Sequence, residues 1–81
     1  VTVKEAARAA IEDAAEGLVG LSHRIWDHPE LAFEEERAAS WTAETLSDAG
    51  FRVEQGTSDI PTAFTAEFGS GPLVAGICAE Y

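Results

Sequence analysis

Basic side chains are scarce: 5 Lys+Arg stand against 15 Asp+Glu, a formal net charge of −10. An acidic surface repels phosphate backbones and anionic headgroups, so the chain is expected to bind neither nucleic acid nor membranes. Cysteine is nearly absent. A single Cys forms no internal disulfide, and with only 2 His it falls short of a closed structural zinc site. No apolar run approaches the ~20 residues of a spanning helix, and no basic-then-apolar leader is recognisable, which makes the cytoplasm the expected compartment. Length is limiting as well. A domain of 81 residues buries only about 60% of its unfolded surface and holds little stability in reserve.

What the chain does have is periodic. Thr2 with Glu5 three residues on forms a capping box, and Ala7, Ile11, Ala14, Leu18, Leu21 and Ile25 then recur at helical spacing. Gly17 and Gly20 weaken this stripe unless another backbone packs closely there. Pro29 disfavours helical geometry at His28, so the first helix is predicted over about 3–27. Glu34, Glu35 and Glu36 suit the positive end of a second helix, predicted over 34–49 with Ala39, Ala43, Leu46 and Ala49 inward and Ala38 and Trp41 beside them. Gly50 is a good left-handed cap, and Phe51 can fold back on the last turn.

Beyond Gly50 the period falls to 2. Phe51 and Val53 alternate with Arg52 and Glu54, and Phe64, Ala66 and Phe68 with Thr65 and Glu67, which predicts strands over 51–54 and 62–68. Gly69-Ser70-Gly71-Pro72 reads as a tight connection returning the chain antiparallel into a third strand over 73–79. Leu73 to Ala79 carries no charged or hydroxyl side chain and does not alternate, the pattern of a strand covered on both faces. Two helices and three strands cover only one face of a sheet. The expected class is therefore α/β, with residues 1–81 forming the opening helix-helix-strand-strand-strand part of a larger domain.

Few residues stand out for chemistry. His23 and His28, five apart, sit roughly 140° from each other around a helix, and neither is followed by the Glu of a His-Glu-x-x-His motif. Local hydrogen bonding is their simpler role. Cys78, between Ile77 and Ala79 with no cation nearby in sequence, reads as a buried inert thiol. Glu34 to Glu36 read as a solvated helix start, and Glu12, Asp13 and Glu16 as a wet helix face. Gly69 to Gly71 lacks the third glycine and the Lys of a phosphate loop. Glu80 and Tyr81 follow the carboxyl end of the expected central strand, where open α/β sheets place ligands. Glu80 is accordingly a near-site candidate, against the simpler reading of a strand-terminal carboxylate in water with Tyr81 packed beside it. No catalytic and no metal-ligating residue is assigned.

The stretch His23-Arg24-Ile25-Trp26-Asp27-His28-Pro29-Glu30-Leu31-Ala32-Phe33-Glu34-Glu35 resembles the opening signature of the co-catalytic zinc exopeptidases of the aminoacylase, carboxypeptidase and amidohydrolase type. Gly50-Phe51-Arg52-Val53 fits that family's next strand. Ala75-Gly76-Ile77-Cys78-Ala79-Glu80-Tyr81 resembles the strand that precedes its metal-binding segments, most like the p-aminobenzoyl-glutamate hydrolase and dipeptidase-like subgroup. The resemblance implies a phosphorylase/hydrolase-like catalytic domain holding two divalent metal ions, zinc or in some members manganese, whose activated water attacks an amide bond. It also implies that the bridging Asp and the Cys, His and Glu ligands lie after Tyr81. The position of Glu80 carries a His ligand in the peptidase branches and generally none in the amidohydrolase branch.

On this reading the parent protein hydrolyses an N-acyl amino acid or small peptide and forms a homodimer through a lid domain outside this chain. These 81 residues alone are then inactive, and their partner is the rest of their own catalytic domain. A different reading is a small acidic interaction or carrier module that completes its sheet with another chain. An acyl carrier would need Asp-Ser-Leu at a helix start, whereas Leu46-Ser47-Asp48 falls at a helix end.

Overall fold

The computed structural model describes residues 1–80. Helix α1 runs Val3–Asp27 and α2 Glu36–Asp48; strand β1 is Arg52–Gln55 and β2 Phe64–Glu67, separated by a short 3-10 turn at Thr57–Asp59. Local chemistry sets the helix ends. The Thr2 hydroxyl accepts from the Glu5 amide at 3.1 Å, and the Glu5 carboxylate accepts from the Thr2 amide at 3.3 Å, closing the capping box. At the far end of α2 the Gly50 amide donates to the Ser47 carbonyl and the Phe51 amide to the Leu46 carbonyl, both at 3.0 Å. That pairing is a Schellman motif, and it requires the φ of +101° that Gly50 adopts. A Cβ at Gly50 would also lie 3.4 Å from the Phe68 ring.

The two strands pair antiparallel, with Arg52 opposite Glu67, Val53 opposite Ala66, Glu54 opposite Thr65 and Gln55 opposite Phe64. Alternation then sorts the side chains. Val53, Phe64 and Ala66 are half-buried on the face toward α2, while Arg52 and Glu67 form an exposed ion pair at 3.5 Å on the other. Phe51 and Phe68, one register step beyond the ladder, bring their rings to 5.2 Å. The core beneath is small. Ala38, Ala39 and Ala43 of α2 are its buried apolar residues, joined by Thr62 from the loop between the strands. Alanines on this face let the helix approach the hairpin closely, but they bury little area.

Several expectations are corrected. Residues 73–79 form no strand, and β2 does not return into that segment; it pairs back on β1 instead. A strand exists only through its ladder, and no neighbouring strand is available to residues 73–79 among those described. Leu73, Val74 and Ile77 are consequently 90%, 90% and 93% exposed. Cys78, expected to be buried, is exposed for the same reason. Helix α2 begins at Glu36 and not Glu34, because Phe33 turns left-handed at φ +65° and the Glu34 amide donates back to the Leu31 carbonyl. A non-glycine residue pays about 1 kcal/mol or more for that conformation.

The α1 stripe forms a helix without a buried residue: Leu21 and Ile25 are half-buried, whereas Ile11 is 61% exposed. Gly17 and Gly20 meet nothing within 4 Å of where a Cβ would stand. The Cα radius of gyration, 14.2 Å, exceeds the roughly 11.7 Å of a compact chain of this length. Tyr81, expected to pack beside Glu80, lies outside the described residues.

Candidate functional site

The densest set of side-chain interactions joins the end of α1 to the start of α2 through the turn at 28–35. Pro29 ends α1, and His28 caps it: its amide donates to the Ile25 carbonyl at 3.2 Å and its ring Nδ1 to the Arg24 carbonyl oxygen at 2.9 Å. A carbonyl can only accept, so the proton sits on Nδ1. The His28 ring meets the Trp41 ring edge-on at 5.2 Å, and the Arg24 guanidinium lies 5.0 Å from the same ring's centroid. Trp41 thus takes a cation on one side and an imidazole on another, which ties the last turn of α1 to the middle of α2.

Glu30 makes the second tie. Its Oε2 accepts from the Arg37 amide and its Oε1 from the Ala38 amide, each at 3.0 Å. The nominal N-cap, Glu35, makes no side-chain capping bond, so a carboxylate from outside the helix satisfies two of its free amides. The amides of Arg37 and then Ala38 hold the Glu30 carboxyl below the ordinary carboxylate range; partial burial opposes them, and the nearby Arg37 charge and the Glu36 amide assist. Sequence spacing does not reveal this cap. Capping patterns look three residues ahead, and Glu30 reaches seven and eight.

His23 is exposed on α1, and Glu80 is exposed at the end of the 73–80 segment. Among the described residues no three His, Cys, Asp or Glu side chains gather in a way that could hold a metal ion. The bonds that His28 and Glu30 make are to the ends of the two helices. Between the helices, the hairpin and residues 69–80 lies an open hollow of about 1830 Å³, lined by Leu21, Ile25, Phe64, Phe68, Leu73 and Ile77 among others. What these residues provide is a frame, with its apolar interior unfilled.

Comparison with known proteins finds relatives of this chain. The chain is 42% identical over 72 residues to one of the subunits of p-aminobenzoyl-glutamate hydrolase from Escherichia coli K12, covering 89% of this chain and 15% of that protein. It is 39% identical over 77 residues to the Xaa-Arg dipeptidase of Mus musculus, covering 91% of this chain and 18% of that protein. This segment is homologous to members of the amidohydrolase/peptidase family. The resemblance carried by the His28-Pro29-Glu30-Leu31 turn and the Gly50-Phe51-Arg52-Val53 strand is thus kinship, and it extends across the capped unit described above. The chain spans less than a fifth of the length of either relative. No family model matches it, and no solved structure does. No helix among the described residues is long and apolar enough to cross a membrane.

Proposed function

We propose that these 81 residues are the opening scaffold of the catalytic domain of an amidohydrolase or peptidase that cleaves an amide bond of an N-acyl amino acid or small peptide. The observation that carries this reading is the 42% identity, over 89% of the chain, to a p-aminobenzoyl-glutamate hydrolase polypeptide. The dipeptidase relative supports the same bond type, since both names describe hydrolysis next to an amino acid. The segment's part is architectural: α1 and α2 are locked through Arg24, His28, Glu30 and Trp41, and the lock fixes where the hairpin and residues 73–80 leave α2. Glu80, at the end of that run, is the residue of this segment nearest the proposed site.

Hydrolysis in this proposal is metal-dependent. The resemblance implies two divalent ions, held by residues that follow Tyr81. The test is an assay of the purified parent polypeptide on p-aminobenzoyl-glutamate and a panel of dipeptides, with and without a chelator. Amino-acid release that the chelator abolishes and added zinc or manganese restores is expected. The 81-residue chain assayed beside it should release none. A parent that cleaves none of these amides with either metal present contradicts the proposal.

A further inference from the structure

The turn that carries Glu30 also carries Leu31 and Phe33, each 74% exposed, and Phe33 is held at a φ of +65°. An aromatic residue is a poor choice for such a position. Where φ is positive, glycine or asparagine fits without strain, and a phenyl ring left in water adds nothing that would offset the strain. The turn itself is firmly built, with the Glu34 amide on the Leu31 carbonyl at 2.9 Å, the Glu36 amide on the Glu34 carbonyl at 2.8 Å and the Glu30 carboxylate on α2. A rigid turn therefore presents two large apolar side chains outward. Glu34, Glu35 and Glu36 follow immediately, so the knuckle has an acidic border.

We propose that Leu31 and Phe33 form a docking knuckle that seats in an apolar recess with a basic rim, on the part of the parent polypeptide outside these 81 residues. Exposed apolar side chains bordered by charge are the usual mark of a contact surface, and a rigid aromatic is its strongest kind of anchor. The charge selects the occupant. A second copy of this segment would set carboxylates against carboxylates on chains of net charge −10, whereas a basic rim would pair with Glu34 to Glu36. The relatives are more than five times as long as the stretch they share with this chain, which leaves ample polypeptide to supply the recess. The inference rests on the proposal that this segment opens a longer protein, and it does not require that protein to be a hydrolase.

The test uses the parent protein and the variants Phe33→Gly and Phe33→Asn, both of which suit a positive φ. If the ring is docked, each variant lowers the melting temperature by about 5 °C or more, the loss expected for an emptied apolar pocket. If the ring stays in water, relief of strain leaves the melting temperature unchanged or raises it, and the proposal is overturned. Hydroxyl-radical footprinting of the unaltered parent gives an answer even if the variants fail to fold: Leu31 and Phe33 protected supports docking, and both oxidised at the rate of free side chains overturns it. A variant that also dissociates an oligomer would assign the recess to a second copy of the parent and overturn the intramolecular assignment. Amide hydrolysis is scored separately. An active parent with an oxidised Phe33 refutes only the knuckle, and an inactive parent with a protected Phe33 refutes only the hydrolase.

Discussion

Residues 28–67 and residues 69–80 are both rich in apolar side chains, yet only the first stretch is built. In the first, the start of α2 is capped by Glu30, its end is closed by Gly50 and Phe51, and Ala38, Ala39 and Ala43 are buried on a helix that packs on the paired hairpin and on α1. In the second, Leu73, Val74 and Ile77 stand in water with no ladder. The difference is one of contact range. A helix cap or a hairpin finds its partners within a few tens of residues, whereas a two-sided strand needs neighbours on both edges and cover on both faces. Hydrophobicity alone does not order a segment; a partner within reach does.

The largest effect expected is at Ala43, which is 1% exposed. Ala43→Glu would bury an unpaired carboxylate in this small core and cost about 3 kcal/mol or more, seen as loss of cooperative melting. Val74→Asp should leave the melt of the 81-residue chain unchanged, and it should prevent folding of the parent, where this segment is proposed to be covered. Equal effects of Val74→Asp in both would show that residues 73–79 are no better covered in the parent than in the short chain.

Next in size is the Glu30 lock. Its folded-state carboxyl lies below the ordinary range, so its stabilisation is complete above the unfolded value and is lost as pH falls through the lowered folded value. Glu30→Gln should lower the melting temperature at pH 7 and flatten the acid limb of stability against pH. An unchanged acid limb would show that Glu30 does not hold α2.

Smaller effects follow. Gly17→Ala and Gly20→Ala each replace a helical glycine that meets nothing, and each should stabilise the 81-residue chain by up to about 1 kcal/mol in urea unfolding. The same changes should be destabilising in the parent if another backbone packs on α1. The smallest is the Arg52 to Glu67 ion pair. Both side chains are largely exposed at a separation of 3.5 Å, and a double-mutant cycle should give between about 0.2 and 1 kcal/mol, reduced further by salt.

Much of the built region is legible in the sequence because its signals are local. Thr2 and Glu5, the stop before Pro29, the left-handed Gly50 and the alternation of Phe64, Ala66 and Phe68 each depend on partners a few residues away. The left-handed Phe33 is not legible, since nothing about phenylalanine announces it, and the start of α2 therefore reads two residues early. Glu30 escapes notice because its hydrogen bonds span a turn whose shape the sequence does not declare. The apolar run 73–79 reads as a strand from its composition, and the exposed Cys78 reads as buried with it: composition reports what a segment needs, not whether a neighbour supplies it. The proposed chemistry is suggested only by similarity to the two named hydrolases, and the turn that carries part of the resemblance is itself a structural lock.

Hydrogen exchange of the 73–79 amides, measured in the 81-residue chain and in the parent, tests the central contrast most directly. The 73–79 amides should exchange at the rate of an unstructured peptide in the short chain and be strongly protected in the parent, with the α2 and hairpin amides the slower-exchanging ones in both. Protection of 73–79 already present in the short chain, or absent from both, would contradict that contrast.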